Sequence, residues 1–201
     1  MSKPVTFNIT EMSLLLSRAF VNDPWTRKLM SDDAKKSQAF FTLIIRYCEV
    51  TGGQVIIDHQ DSTLTSVACL EHPMKLSLLD VIKLLGPFLT FISACGLKTF
   101  SLINTYMRLT TRHRPKEKHY YLTCLGVDPE FMGMKIGKKM LDTIHTIVDA
   151  DATSIGIGLD TENHDNIALY EHFGYKHIAT EELEGMMIYI MFRPRKTVDK
   201  Y

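Results

Sequence analysis

The sequence predicts a single α/β or α+β domain, and three observations support this prediction. The 201 residues are 45% apolar and 23% charged, which allows one hydrophobic core without metal or disulfide staples. Two β-branched segments flank a polar turn at residues 60–62, a pattern typical of a β-hairpin. The chain order is helices, hairpin, helices and then alternating strands and helices, with no internal repeat.

The N-terminal part predicts a short strand and two helices before that hairpin. Val5–Ile9 is expected to be the first strand, and Thr10 to cap a helix that "NDP" (residues 22–24) interrupts. A second helical pattern covers Asp32–Val50 and stops at Gly52-Gly53. The segments "QVIIDH" and "STLTSVACLEHP" then form the hairpin.

A leucine-rich insertion at about residues 74–112 separates the hairpin from the remaining strands. Its helical spacing, with breaks at Gly86-Pro87 and near Gly96, predicts two or three helices. His119–Val127 is mostly apolar and predicts a central strand that is buried on both sides.

The C-terminal part predicts a helix, a strand, a short helix and a closing strand. "IGKKMLDTIHTIV" has apolar residues at helical spacing, whereas "TSIGIGLD" is a strand whose glycines indicate close approach by another group. In "NHDNIALYEHFGY", Asn163 is the candidate N-cap and Gly174 the left-handed C-terminal residue. "GMMIYIMFRP" closes the chain.

Composition argues against several classes of function. Basic and acidic residues are balanced at 23 each, so general nucleic-acid binding is not expected. The four cysteines form no CxxC pair and the histidines no ligand spacing, so we expect free thiols and no metal. The N-terminus lacks a secretion signal, and the most apolar stretch, residues 84–97, is too short to span a bilayer. A cytoplasmic protein without membrane contact is expected.

The stretch "GVDPEFMGMKIGKKML", Gly126–Leu141, reads as a strand, a glycine-containing loop and a helix. Such a junction presents unpaired N–H groups and the positive end of a helix dipole, which together can bind a pyrophosphate. An ordinary turn with solvated lysines fits this stretch equally well, because one G-x-x-x-G is weak evidence.

A second stretch, "LDTENHDNIALYEHFGYKHI", places three polar residues on one helical face. Asn163, Asn166 and Tyr170 are spaced by three and four residues. Taken alone, the asparagines would be caps and the tyrosine a core residue.

Together, the two stretches resemble the GNAT superfamily of acyl-CoA-dependent N-acyltransferases. That family has a Gln/Arg-x-x-Gly-x-Gly/Ala loop after a strand and a later "TEN…N…Y…GF" segment. Here "PEFMGMKIGKKML" aligns with the loop, but Met132 replaces Gln or Arg and Lys135 replaces the first glycine, and only Gly137 is kept. The resemblance implies one domain over residues 1–201, with a mixed, mostly antiparallel central sheet, flanking helices and a helical insertion before the fourth strand.

The resemblance also implies acetyl-CoA as cosubstrate. The residues expected at the coenzyme are those of the two motifs and the preceding strand end: Leu125, Gly126, Val127, Met132, Gly133, Met134, Lys135, Ile136, Gly137, Lys138, Asn163, Asn166 and Tyr170. A positive φ at Lys135 would cost about 1 kcal/mol.

The activity that the resemblance implies is direct transfer of the acetyl group to an amine. A backbone N–H near Leu125–Val127 would bind the oxyanion, and Tyr170 would protonate the departing thiolate. The base is open between Glu71 and His119, and Cys124 is expected to be a buried packing residue.

The acceptor is expected to be a primary amine of a small molecule or peptide. Phe20, Trp25 and Glu71 are its candidate contacts, and the absence of a dense acidic cluster favours a small or partly apolar amine. The insertion would flank the acceptor or form a homodimer interface. A non-catalytic acyl-CoA-binding regulatory domain is the alternative function.

Overall fold

The computed structural model describes residues 6–72 and 77–196, which form a six-stranded sheet covered by helices on both faces. The helices are α1 (Ile9–Ala19), α2 (Pro24–Met30), α3 (Ala34–Val50), α4 (Leu78–Thr111), α5 (Ile136–Ala150) and α6 (Asp165–His172). The strands are β1 (Gln54–Gln60), β2 (Thr63–Glu71), β3 (Tyr120–Val127), β4 (Gly156–Thr161), β5 (Lys176–Leu183) and β6 (Met186–Pro194).

The sheet has the order β1-β2-β3-β4-β6-β5, and only the β3–β4 pair is parallel. This confirms the prediction of a mixed, mostly antiparallel sheet. The parallel pairing covers Tyr120↔Ile157 and Tyr121↔Gly158 and goes no further. Beyond Tyr121, β3 pairs with β2 alone, so β3 and β4 diverge in the middle of the sheet.

Two apolar clusters hold helices on opposite faces of the sheet. One joins α1 to α4 with β2 and includes Leu16, Phe41 and Phe91. The other packs α5 and the α6 region against the opposite face and includes Ile144 and Ile157. Burial of this kind contributes about 25 cal/mol per Å² of apolar surface, so the two clusters fix the helices that surround the diverging strands.

The N-terminal prediction is wrong where the structure describes it. Residues 6–8 form no strand, and α1 begins at Ile9, while Val5 lies outside the described residues. Asn8 is the N-cap: its side chain accepts the Glu11 N–H at 3.0 Å, and the Glu11 carboxylate accepts the Asn8 N–H at 2.7 Å. This capping box satisfies two helix-end donors, so the helix starts before Thr10. Because residues 6–8 form no strand, the strand that follows the insertion, predicted to begin at His119, is the third of the described strands.

The insertion contains one long helix with a single break. Ser77 and Asp80 cap α4 reciprocally, and the helix passes through Gly86-Pro87 without leaving helical geometry. The predicted break at that dipeptide is wrong, because one proline removes only one backbone donor, a loss that the surrounding helix can absorb. Gly96, with φ 81°, is the actual break, as the sequence also predicts.

By length and composition, α4 could cross a membrane, and only a small part of it is buried. The expectation that the most apolar stretch is too short to span a bilayer rests on residues 84–97, whereas the helix that contains them has 34 residues. One such helix is weak evidence for a membrane protein, because soluble proteins also contain such helices. Its exposed large apolar side chains are Leu78, Leu79, Val81, Ile82, Leu85, Leu89, Leu97, Phe100 and Met107.

Candidate active site

A cleft of about 700 Å³ lies where β3 and β4 diverge, and α4 forms one wall. This volume is within the usual range for small-molecule sites. One part of the cleft is polar and is lined by Asp23, Glu71, Tyr106, Arg114, Tyr121, Thr123, Asp160, Glu162, Asn166 and Tyr170. The other part is apolar and is lined by Phe40, Leu43, Ile44, Leu84, Leu85, Phe88, Phe91, Phe100 and Ile103.

The loop before α5 presents free backbone donors. Gly133 has φ 81° and Lys135 has φ 61° and ψ 15°, so both are left-handed. Within the described part of the chain, we find no acceptor for the N–H groups of Gly133, Lys135, Gly137 and Lys138. Successive N–H groups of this kind at a helix N-terminus form an anion-binding concavity. The strain expected for a positive φ at Lys135 is therefore present.

The side chains of the loop leave that concavity open. Met132, Met134 and Lys135 are exposed, and Ile136 is buried in the α5 core cluster. Lys138 binds Asp142 at 2.6 Å on the helix surface. With Met132 in place of Gln or Arg, the loop lacks one polar donor, so the anion would depend on backbone groups.

Gly137 provides space where a side chain would otherwise stand. A Cβ added there would meet Val127 Cγ2 at 3.6 Å, which is ordinary van der Waals contact. The fold itself therefore tolerates a side chain at this position. The absence of a side chain at residue 137 instead leaves space for a ligand to approach the backbone of the loop.

The end of β3 points donors into the cleft region. The Asp128 N–H binds Thr65 O of β2, at 2.9 Å. Because strand N–H groups alternate in direction, those of Leu125 and Val127 face the open side where β4 has diverged. Gly126 instead faces α1: a Cβ there would lie 2.8 Å from Leu16 Cδ2, so this glycine permits helix packing.

The second motif joins the end of β4 to α6. Asn163 Oδ1 accepts the Asp165 N–H at 3.0 Å, and Asn166 Nδ2 donates to Thr161 Oγ1 at 3.0 Å. The N-cap position of α6 is His164, so the predicted N-cap at Asn163 is wrong by one residue. Asn163 nevertheless satisfies a backbone donor in the first turn of α6, because its side chain forms an Asx turn in place of an N-cap. Gly174 ends the helix with φ 88°, as predicted.

Tyr170 lines the cleft from α6. Its ring packs edge-on against Tyr175 with centroids 5.5 Å apart. Burial, followed by the negative charges of Asp160 and Glu162, raises the pKa of Tyr170 to about 12. The phenol is therefore protonated at neutral pH and can donate a proton.

Four carboxyl groups and three tyrosines meet in the polar part of the cleft. Tyr106 of α4 donates to Asp160 and contacts Glu162, and Tyr121 of β3 also donates to Asp160. Gly158 makes room for this arrangement, because a Cβ there would lie 3.0 Å from the Tyr121 ring. The expectation that no dense acidic cluster exists is wrong, because distant parts of the sequence supply its members.

The carboxyl groups of the cluster are hard to ionise together. Burial, then repulsion by Asp160 and Asp23, raises the pKa of Glu162 to about 8. Burial also raises the pKa of Asp23, although its carboxylate accepts the Thr26 N–H at 2.8 Å. A pKa near neutrality on a buried group in a cleft is typical of a catalytic acid or base.

Of the two candidate bases that the sequence offers, Glu71 and His119, only Glu71 lines the cleft. Burial raises its pKa, and its carboxylate accepts the Thr123 hydroxyl at 2.6 Å. His119 is buried instead beside Phe192 and binds Glu117 O through Nδ1, at 2.8 Å. Arg114 stacks over Tyr121, with its Cζ atom 3.2 Å from the ring centroid. Its positive charge offsets part of the increase that burial causes in the pKa of Glu71.

The other predicted contacts of the acceptor also line the cleft. Trp25 stacks on Tyr106, with ring centroids 4.3 Å apart and an angle of 23°. Phe20 lies at the same cleft, in contact with Phe41. The predicted acceptor residues therefore adjoin the acidic cluster. Over residues 6–72 and 77–196, no group of three or more His, Cys, Asp or Glu side chains is placed to hold a metal ion.

Sequence reasoning missed Asp23, Tyr106, Arg114, Tyr121, Asp160 and Glu162. For Asp160 and Glu162 a signal exists, since residues two apart at the end of a strand lie on the same face. For Tyr106 and Arg114 no local signal exists, because only the packing of the insertion brings them to β4.

Residues 97–175 match the family model described as acetyltransferase (GNAT) family. The matched segment contains the loop before α5, the second motif and Tyr170. The chain has the GNAT fold.

Solved structures show the same GNAT fold over nearly the whole chain. A histone acetyltransferase HPA2 and related acetyltransferase from Corynebacterium glutamicum has a TM-score of 0.68 at 19% identity, covering 96% of this chain and 93% of that one. Naa20 from Chaetomium thermophilum, solved with a bisubstrate analogue, has a TM-score of 0.53 at 16% identity, covering 94% and 84%. A GNAT-family acetyltransferase from Streptococcus pneumoniae has a TM-score of 0.54 at 9% identity, covering 94% and 93%. The search of curated proteins finds no significant match.

Proposed function

We propose that this protein is an N-acetyltransferase that moves an acetyl group from acetyl-CoA to a primary amine by direct attack. One observation carries the proposal: the β3 edge at Leu125 and an acid–base cluster line one cleft, and the loop with free backbone N–H groups follows directly on the same strand. The coenzyme and the amine would approach from opposite ends of the divergence between β3 and β4. The bisubstrate analogue bound to Naa20 supports acetyl-CoA as the cosubstrate.

The pyrophosphate of the coenzyme would bind the loop from Met132 to Lys138. The free N–H groups of Gly133, Lys135, Gly137 and Lys138 supply the donors, and the helix dipole favours the negative charge. Gly137 allows the phosphate to approach the backbone. The thioester would then extend along the open edge of β3 toward Tyr170.

The thioester carbonyl would accept the Leu125 N–H, with the Val127 N–H serving the pantetheine arm. Leu125 lines the cleft, and its N–H points away from β2. A fixed donor of this kind stabilises the oxyanion as the amine attacks, an effect worth roughly 2.7–4 kcal/mol in other enzymes.

Glu162 would be the general base. In its ionised form it accepts a proton from the attacking nitrogen, so the C–N bond forms as the proton leaves. An ammonium group that enters the cluster favours the ionised carboxylate and lowers its pKa from about 8. The buried Cys124 is not required, because the amine attacks the thioester without an acyl-enzyme.

Tyr170 would donate its phenolic proton to the coenzyme thiolate as the C–S bond breaks. The raised pKa keeps that proton in place until the thiolate forms. A thiolate with a pKa of about 8.5 is already a good leaving group, so the tyrosine accelerates the step without being essential.

A non-catalytic acyl-CoA-binding role is the second candidate, and the altered loop favours it. Met132 and Lys135 remove the usual motif residues, which is a change that loss of catalysis would tolerate. Both candidate functions predict that the protein binds the coenzyme, but only the N-acetyltransferase predicts turnover.

The test combines a thermal shift with acetyl-CoA and release of free thiol in the presence of amines. The proposal expects stabilisation at coenzyme concentrations above the dissociation constant and amine-dependent thiol release. Stabilisation without release by any amine of the series described below would support the binding role. Absence of stabilisation would contradict both.

A further inference from the structure

The acidic cluster continues directly into an apolar channel. The wall of the channel comes from α3 and the inner face of α4, and includes Leu43, Leu84, Phe88, Phe91 and Ile103. Phe88 and Phe100, on either side of the Gly96 break in α4, pack edge to face with centroids 5.2 Å apart. In the residues that the structure describes, the channel lining beyond the cluster contains no charged side chain. A hydrocarbon chain would be favoured there over any polar extension.

The polar end of the cleft carries an excess of acid. Four carboxyl groups, of Asp23, Glu71, Asp160 and Glu162, line the cleft together with one guanidinium, that of Arg114. The excess remains even when Glu162 is protonated. A cationic head group would reduce the repulsion among these buried carboxylates, whereas an anionic head would increase it.

We propose that the acceptor is an amphiphilic primary amine, with its ammonium group at Asp160 and Glu162 and an unbranched hydrocarbon tail along the α4 channel. This inference rests on the proposed acetyl transfer and specifies its substrate class. In the reaction, the bound ammonium gives one proton to Glu162, and the resulting amine bonds to the acetyl carbon as the C–S bond breaks. Tyr170 gives its proton to the coenzyme, which leaves as the thiol, and the second proton lost by the nitrogen restores the Tyr170 phenol. The product is a neutral N-alkyl acetamide, which no longer pairs with the acidic cluster and is released.

The test uses a homologous series of butylamine, hexylamine, octylamine and decylamine below their micelle concentrations. The kcat/KM for thiol release should rise about two- to fourfold per added methylene until the channel is full, since each buried methylene is worth up to about 0.8 kcal/mol. The matched control is 1,10-diaminodecane, which has the same length with a second charge at the far end. Its kcat/KM should fall at least tenfold below that of decylamine.

Two variants of α4 separate the channel from the outer face. Leu84 lines the cleft, whereas Leu89 is 57% exposed and points away from it. Leu84→Gln should lower the ratio of decylamine to butylamine turnover about tenfold. Leu89→Gln should leave that ratio as in the wild type. Equal ratios in both variants would overturn the assignment of the channel.

Binding can be followed independently of catalysis through Trp25. It is the sole tryptophan of the chain, and it stacks on Tyr106 at the cluster. Decylamine should change its fluorescence at lower concentration than butylamine does. If binding follows chain length but no amine is acetylated, the ligand class is supported and the proposed function fails. If butylamine is acetylated as fast as decylamine, or the diamine as fast as either, the inference is overturned and the acetyl transfer stands.

Discussion

The phenol of Tyr106 donates a hydrogen bond to the carboxylate of Asp160, and so joins the helical insertion to the central strand β4. Tyr106 also contacts Glu162, and a single hydroxyl proton cannot serve two ionised carboxylates. A protonated Glu162 can instead donate to the Tyr106 oxygen. This arrangement agrees with the raised pKa of Glu162, and in the proposed mechanism it would make the insertion part of the acid–base chemistry.

The first prediction concerns the pH dependence of stability. The pKa of Glu162 is about 8 in the folded protein and near 4.5 when unperturbed. The folded state therefore holds a proton that the unfolded state loses, so this group lowers stability progressively as pH rises from about 4.5 to about 8. Glu162→Gln removes that loss and should raise Tm at about pH 9 by roughly 4 °C, or 1–2 kcal/mol. Differential scanning fluorimetry measures it.

At about pH 5 the same substitution should change Tm little, because this pH is only about half a unit above the unperturbed pKa of 4.5 and little of the loss has accumulated. Glu171→Gln, on the exposed face of α6, is the matched control and should leave Tm unchanged at both pH values. A Tm gain for Glu162→Gln that is equal at both pH values would contradict the assignment of the raised pKa.

The second prediction concerns the pH dependence of turnover. If Glu162 is the base, kcat/KM for the amine rises with pH through about 8 in the free enzyme, as the carboxylate becomes ionised. Tyr170, with a pKa of about 12, produces no decline below about pH 10. Steady-state rates over this range test both points. In Glu162→Gln the rising limb should disappear and the rate fall by about 10²–10⁴-fold.

The third prediction assigns the acid. Tyr170→Phe should lower kcat about tenfold or more and leave KM for acetyl-CoA nearly unchanged, because the phenolic proton acts only as the C–S bond breaks. The control is Tyr189→Phe on β6, which removes a hydroxyl away from the cleft and should keep the wild-type kcat. An unaltered kcat in Tyr170→Phe would remove this residue from the acid role.

The fourth prediction concerns Gly137. Gly137→Leu should keep the folded structure, since the added Cβ meets Val127 at ordinary contact distance. Its larger side chain should obstruct the loop and weaken acetyl-CoA binding at least tenfold by isothermal titration calorimetry. Gly137→Ala, the smaller control, should weaken it less. Equal affinity in all three proteins would show that the coenzyme binds elsewhere.

The fifth prediction concerns the strain at Lys135. Relief of a left-handed φ is worth about 1–2 kcal/mol, and the extra freedom of glycine in the unfolded chain removes about 0.4–1 kcal/mol. Lys135→Gly should therefore raise the free energy of unfolding by about 0.5–1 kcal/mol in urea titrations. Lys138→Gly, within the first turn of α5, should lower it by about 1 kcal/mol. A loss of stability in both variants would mean that Lys135 is not strained.

The fold and the coenzyme side of the site follow largely from local sequence. The β-α junction at residues 126–141 and the asparagines at the start of α6 are short-range patterns, and the structure places Asn166 and Tyr170 at the cleft. Asn8 is an exception, because its β-branched neighbours predict a strand although its capping box with Glu11 is also a local pattern.

The residues on the acceptor side of the cleft could not be predicted from local sequence patterns. Tyr106 and Asp160 are 54 positions apart, and Asp23 and Glu71 come from further elements. Their meeting depends on the divergence of β3 from β4 and on the packing of α4 over it. Neither is encoded by a local pattern, so the sequence showed single acids where the structure forms a cluster.

Mass spectrometry of a reaction that contains the protein, acetyl-CoA and decylamine tests the central claim most directly. We expect N-acetyldecylamine and free coenzyme A in equal amounts, no acetyl adduct on the protein, and strong loss of product in Glu162→Gln. Coenzyme binding with no acetylated amine from decylamine or any shorter member of the series would contradict the account and support a binding role.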